Sequence, residues 1–298
     1  MNPIRPHESS NLDRRQLLRS TGAVALGALA IGGQALAARK SEAAVRLKGR
    51  IKQGACRGVF GRKVSLEQMC RICVDLGLKG VDLVPPEDWP TLKKYGLLCT
   101  MSPSYKLTKG LNRKENHEEC LAVLRERIEQ AAAAGFPNVI CFPGNREGLA
   151  DEVGAENTAE GLKKIAGLAE EKKITLCMEL LNSKRNHKDY QCDHTAWGVE
   201  VCKKVGSPRV KLLYDIYHMQ VQEGDIIATI RENIEYIAHI HTAGVPGRHE
   251  IDESQELYYP AIMRAIADLK FEGYVSHEYT PVGDALEALK KAVAICDV

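Results

Sequence analysis

From Ile51 to the C-terminus, short apolar runs alternate with longer segments whose apolar residues recur at helical spacing. The runs at 51–55, 80–84, 97–101, 139–142, 174–179, 210–215, 237–241 and 273–278 are rich in Val, Ile, Leu and Cys and bounded by Gly, Pro or charge, which predicts strands. Between them lie helical segments. Ser65-Leu66-Glu67-Gln68 opens one with Ser at the N-cap and Gln three residues on; Met69, Ile72, Cys73 and Leu76 then share a face, and Gly77 stops it. Further helices are predicted over 114–134 (ending at Gly135), 158–172, 194–205 (ending at Gly206-Ser207-Pro208), 225–235, 258–269 and 284–294, with a short one after Pro85-Pro86. Eight consecutive strand-then-helix units imply parallel strands joined by crossover helices. The fold class expected is therefore α/β, a (β/α)8 TIM barrel over residues 51–298. An open doubly wound sheet would show a Gly-rich first turn; Gly54-Ala55-Cys56-Arg57-Gly58 is not one, and no phosphate-binding P-loop is present.

The N-terminus departs from this rhythm. Arg14-Arg15 precedes a mild Ala- and Gly-rich apolar run from Gly22 to Leu36, and Ala35-Leu36-Ala37 has the small residues of a cleavage site. Residues 1–37 read as a twin-arginine-type signal peptide and 38–50 as a polar linker. The run falls short of the ~20 strongly apolar residues a membrane span needs, so no stable anchor is expected after cleavage. The predicted destination is the periplasm or the outside of the cell.

Setting that segment aside changes the charge. Residues 1–37 contain four arginines and two acidic residues, so of 41 basic and 39 acidic residues 37 of each remain. A neutral barrel with few aromatics offers no nucleic-acid surface, so no nucleic-acid partner is expected. Ten cysteines sit mostly inside apolar segments, and Cys70 and Cys73 share a helix with no second pair to complete a zinc site. Buried free thiols are expected, formed before export on a route that carries folded proteins.

In a barrel of this kind, functional groups come from the C-terminal ends of strands. The last four strands end on Glu179, Asp215, His241 and Glu278, spaced 36, 26 and 37 residues apart, one strand–helix unit each. A carboxylate ending a buried strand is costly unless it meets a partner or a metal. Three carboxylates and one imidazole make a hard, mainly oxygen site suited to one divalent ion: Mn²⁺, Mg²⁺ or Co²⁺. His239 lies one layer below His241 and is expected to pack behind it; His277 should point towards the helices.

Four segments then resemble the hydroxypyruvate isomerases, within the wider xylose-isomerase-like barrels that also include ketose 3-epimerases. They are Met178-Glu179-Leu180-Leu181-Asn182, Leu212 to Gln220, His239 to Glu250, and Ser276 to Pro281. The resemblance implies that Glu179, Asp215, His241 and Glu278 hold the metal. It implies that Glu179 and Glu278 are the catalytic acid/base pair, and that His218 and Arg248 bind substrate. Two departures stand out. Hydroxypyruvate isomerases usually carry Gln where this chain has His241, as the sugar epimerases do. The run after Glu250 is Ile251-Asp252-Glu253-Ser254-Gln255-Glu256 rather than Pro-Gly-Thr-Gly-Glu.

Such a site removes a proton next to a carbonyl by stabilising an enediolate, and returns one at the neighbouring carbon or the opposite face. The expected function is metal-dependent isomerisation of a small hydroxy-carbonyl compound, hydroxypyruvate or a ketose/aldose pair. The alternatives are a ketose 3-epimerase, or a dehydratase of a sugar or inosose. The expected partner is the small-molecule substrate, and a homo-oligomer is left open.

Overall fold

The computed structural model describes residues 46–61 and 63–298. The signal-peptide reading, and the linker reading as far as residue 45, lie outside the described residues. Residues 46–50 are tied to the C-terminal region: the Lys48 amide donates to Asp297 Oδ1 at 2.8 Å, and Arg50 pairs with Asp268 at 2.7 Å.

The strands are β1 (Lys52–Cys56), β2 (Gly80–Asp82), β3 (Leu98–Cys99), β4 (Asn138–Cys141), β5 (Thr175–Leu180), β6 (Val210–Asp215), β7 (Ile237–Thr242) and β8 (Tyr274–His277). The helices are α1 (Leu66–Asp75), α2 (Trp89–Lys94), α3 (His117–Ala134), α4 (Asp151–Lys172), α5 (Thr195–Val205), α6 (Ile216–Gln222), α7 (Ile226–Asn233), α8 (Tyr259–Asp268) and α9 (Ala285–Cys296). All strand pairs are parallel, in the order β3-β2-β1-β8-β7-β6-β5-β4. The two outer strands meet just past β3. There the Ser102 amide donates to Asn138 O at 2.9 Å, and the Ile140 amide to Ser102 O at 3.0 Å. The sheet thus curls into the expected barrel rather than an open doubly wound sheet. Gly80 makes the β2–β3 approach feasible: a Cβ there would stand 2.2 Å from Leu98 O.

The capping box at Ser65 and Gln68 forms on both sides, and Gly135 and Gly206 end α3 and α5 in left-handed geometry. Two helices differ from expectation. The fourth begins at Asp151, not Thr158: Gly154, packed against the Gln191 side chain, interrupts the apolar rhythm of its first turns, so the sequence pattern starts late. The helix α6 follows β6 with no intervening turn, where the sequence analysis places the strand end at Asp215 but no helix. Strand ends also shift slightly: β5 runs one residue past Glu179, and β8 stops at His277, which leaves Glu278 as the first loop residue.

All ten cysteines are buried and free. His277 does face outward from the barrel, bonding Gln53 Oε1 at 3.1 Å, while Gln53 Nε2 donates to Val293 O of α9 at 3.1 Å.

Candidate metal and proton-transfer site

Parallel strands bring their C-terminal ends to one rim, and four of them deliver the predicted groups together. One donor atom each from Glu179, Asp215, His241 and Glu278 lies within 4.8 Å of every other. Glu179 faces inward from β5, Asp215 ends β6, His241 comes from β7, and Glu278 leaves β8 with its amide donating to Thr242 O at 2.9 Å. Asp215 and His241 are fully buried, Glu179 nearly so, and Glu278 is partly open to the mouth.

His241 is oriented from behind. Its Nε2 lies 3.0 Å from Asp82 Oδ2, so the carboxylate fixes the proton on that nitrogen. The opposite nitrogen, Nδ1, faces Glu278 Oε2 at 2.8 Å and Glu179 Oε1 at 3.7 Å, yet has no hydrogen-bond partner among the described residues. A buried imidazole nitrogen aimed at three carboxylates outside hydrogen-bond geometry is the arrangement of a metal ligand, and a hard oxygen-rich donor set fits a divalent ion.

Arg248 lies in the same cluster. Its Nη2 is 2.8 Å from Asp215 Oδ2 and 2.5 Å from Glu278 Oε2, and its guanidinium stacks over Tyr217 at 5.5 Å. The sequence reading made Arg248 a substrate contact; the structure places it at the site, bonded to two of the four predicted ligands. His218 is fully buried. Its backbone amide donates to Asp215 Oδ1 at 3.1 Å, so this carboxylate also caps α6. The Asn182 amide donates to His218 Nδ1 at 3.2 Å, which puts the ring proton on Nε2. That nitrogen lies 3.8 Å from Asp215 Oδ2 and has no hydrogen-bond partner among the described residues. It is a donor directed at the site.

The electrostatics separate the two glutamates. Burial pushes the Glu179 carboxyl up to about 7; the nearby Glu278 charge adds to this and His241 opposes it. Burial would raise Glu278 as well, but the charges of His241 and Arg248 outweigh it and bring it down to about 2. Asp215 is raised by burial, with Arg248 opposing. Burial, with Arg248 adding to it, keeps His218 neutral.

A cavity of about 270 Å³ opens beside Glu179, Arg248 and Glu278, walled largely by Leu83, Tyr105, Phe142, Leu181 and His187. A second, of about 280 Å³, shares Leu83, Arg248 and Glu278 and adds Cys56, Arg57 and Thr280. A larger cavity of about 420 Å³ lies among residues at the starts of β5, β7 and β8, at the barrel's other end. The sequence reading missed Asp82, Asn182 and His187. Asp82 ends β2 in the structure, but the apolar run of the sequence continues through Leu83 and Val84, so it reads as a mid-strand residue there.

Fold and site together define a (β/α)8 barrel with an acidic, histidine-containing rim. The family model described as xylose isomerase-like TIM barrel matches residues 70–295, and the chain belongs to that family. A human protein assigned by name to the hydroxypyruvate isomerases is 32% identical over 177 residues, 56% of this chain and 64% of its own length. The 2-oxo-tetronate isomerase of Cupriavidus necator is 32% identical over 155 residues, 52% and 59% of the two chains. The D-psicose 3-epimerase of Ruminiclostridium cellulolyticum is 32% identical over 127 residues, 41% and 40%. The chain thus spans less than two thirds of the length of these curated relatives. Among solved structures, an AP endonuclease of family 2 from Brucella melitensis superimposes with a TM-score of 0.72 at 24% identity, covering 80% of this chain and 96% of its own. At that identity the likeness reports the fold.

Proposed function

We propose that this protein is a divalent-metal-dependent isomerase of a small hydroxy-carbonyl compound, hydroxypyruvate, a 2-oxo-tetronate or a ketose/aldose pair. The observation that carries the reading is the convergence of four donor atoms within 4.8 Å at four consecutive strand ends. Glu179, Asp215, His241 and Glu278 would hold Mn²⁺, Mg²⁺ or Co²⁺. The ion, when bound, supplies positive charge for oxygens that become anionic as the proton leaves.

The chain's own groups do the rest. Glu179 and Glu278 stand on different strands, so one carboxylate can take a proton from carbon while the other returns one. His218 Nε2–H donates to a substrate oxygen, a role suited to a neutral ring. Arg248 offers several N–H groups in a fixed plane to a carboxylate or paired hydroxyls. The apolar wall around Phe142 and Leu181 keeps bulk water from the reacting carbons. Residues 1–37, read as a twin-arginine signal, would take the barrel folded out of the cytoplasm.

Incubation with hydroxypyruvate and a panel of ketoses in D₂O, with Mn²⁺, Mg²⁺ or Co²⁺ added, tests the reading by NMR. Solvent deuterium at the carbon next to the migrating carbonyl is expected. Glu179→Gln and Glu278→Gln should each slow this by about 10²–10⁴-fold. An enone formed with loss of water, or turnover unchanged in both variants, would sink the proposal. A second reading has one observation behind it: position 241 is His, as in the sugar epimerases, rather than Gln. Under that reading deuterium enters with inversion at one carbon, and the carbonyl does not move.

A further inference from the structure

The four residues of the proposed metal centre come from the second half of the barrel, but the group that orients the one histidine among them comes from the first. Asp82 ends β2, is fully buried, and accepts three hydrogen bonds. Its Oδ2 takes His239 Nε2 at 2.7 Å and His241 Nε2 at 3.0 Å, and its Oδ1 takes the Thr100 hydroxyl. A carboxylate is only an acceptor, so both rings must carry their proton on Nε2. With Nε2 of His241 committed, only Nδ1 is left to face Glu179, Asp215 and Glu278, and that nitrogen is buried without a hydrogen-bond partner among the described residues. The two rings meet edge to face, 5.1 Å apart, so His239 also braces His241 from the layer below. The Thr100 hydroxyl and the His239 ring hold the carboxylate itself in place from β3's end and β7.

We infer that Asp82 is the positioning residue of this site. It fixes which nitrogen His241 presents and, through a charge-assisted hydrogen bond, makes that ring a stronger ligand. The inference rests on reading the cluster as a metal centre. His239 and Thr100 act through Asp82, not on substrate.

Two measurements test it separately. In the metal-free wild type, proton NMR should show two downfield, slowly exchanging Nε2–H resonances, from His239 and His241. In Asp82→Asn the amide oxygen can still accept from both rings but carries no charge, so both resonances should move upfield. Asp82→Ala should lose them. Mn²⁺ titration should then show binding about tenfold weaker in Asp82→Asn and up to ~100-fold weaker in Asp82→Ala, with circular dichroism unchanged. If the alanine variant fails to fold, the asparagine variant decides. A wild type with no Nε2–H resonance from His241, or an asparagine variant with wild-type resonances and Mn²⁺ affinity, would overturn the inference. A wild type that binds no Mn²⁺ would refute the metal reading instead; the resonances alone would then decide whether Asp82 holds His241.

Discussion

At the residue scale, Asp215 concentrates the logic of the site. It is fully buried, its Oδ2 lies 2.8 Å from Arg248 Nη2, and its Oδ1 caps α6 through the His218 amide. Held by Arg248 and the α6 backbone, it also sets an oxygen within 4.8 Å of the other three donors, the position of a ligand. Asp215→Ala should therefore lose Mn²⁺ binding by at least the ~100-fold that outer-shell changes cost, and lose turnover with it. Glu179→Gln should instead keep part of the metal affinity and lose proton exchange. Equilibrium dialysis set against the deuterium assay separates the two behaviours. The four rim residues were legible because each interrupts an apolar strand with a group that is expensive to bury. Asp82 is less legible, because the apolar run continues past it through Leu83 and Val84 and its partners His239 and His241 lie 157 and 159 residues away. A carboxylate buried for a hydrogen-bonding reason and one buried for a metal look identical in sequence.

At the element scale, strands were legible and some helix starts were not. Strand β6 gave its bounds directly, because Lys211 to Tyr214 is bracketed by a Pro-containing turn and a charge. The helix after it was invisible, because Asp215 ends the strand and caps the helix at once. The loops after β4 and β5 are joined by Arg146. It reaches Asp151 at 2.7 Å and the buried Asp193 at 2.8 Å. Burial pushes the Asp193 carboxyl up, but hydrogen bonds from Arg146, Ser183 and His194 outweigh it and hold the carboxyl below its usual range. Arg146→Ala should cost about 3 kcal/mol, or roughly 10 °C in melting temperature, by leaving Asp193 buried with its main countercharge gone. The sign with pH follows from the depressed value. The stabilisation is complete above the unfolded carboxylate's pKa of about 3.9 and is lost as pH falls through the lower folded value. The gap between wild type and variant, read by thermal melts, should thus narrow below about pH 4. A gap that stays constant into acid would show that Arg146 acts by packing alone.

At the scale of the whole molecule, the barrel was legible because eight repeats of one pattern leave few topologies. Its closure was not, since it depends on Ser102, outside any predicted strand. The ten buried thiols suit a chain that folds before it is exposed to oxidants. Under the proposed export route, replacing Arg14 and Arg15 with Lys should leave the protein in the cytoplasm, while the wild type appears outside it with a new N-terminus after Ala37. Cell fractionation followed by N-terminal sequencing reads both. Wild-type protein retained in the cytoplasm with residues 1–37 intact would contradict that route. Whether the four rim residues hold an ion is tested by metal analysis of protein purified without added salts of Mn²⁺, Mg²⁺ or Co²⁺, with a Mn²⁺ titration on the stripped protein. The prediction is one divalent ion per chain, lost in His241→Ala. Stripped wild-type protein that takes up no Mn²⁺, Mg²⁺ or Co²⁺, or a His241→Ala variant that binds as the wild type does, would contradict it.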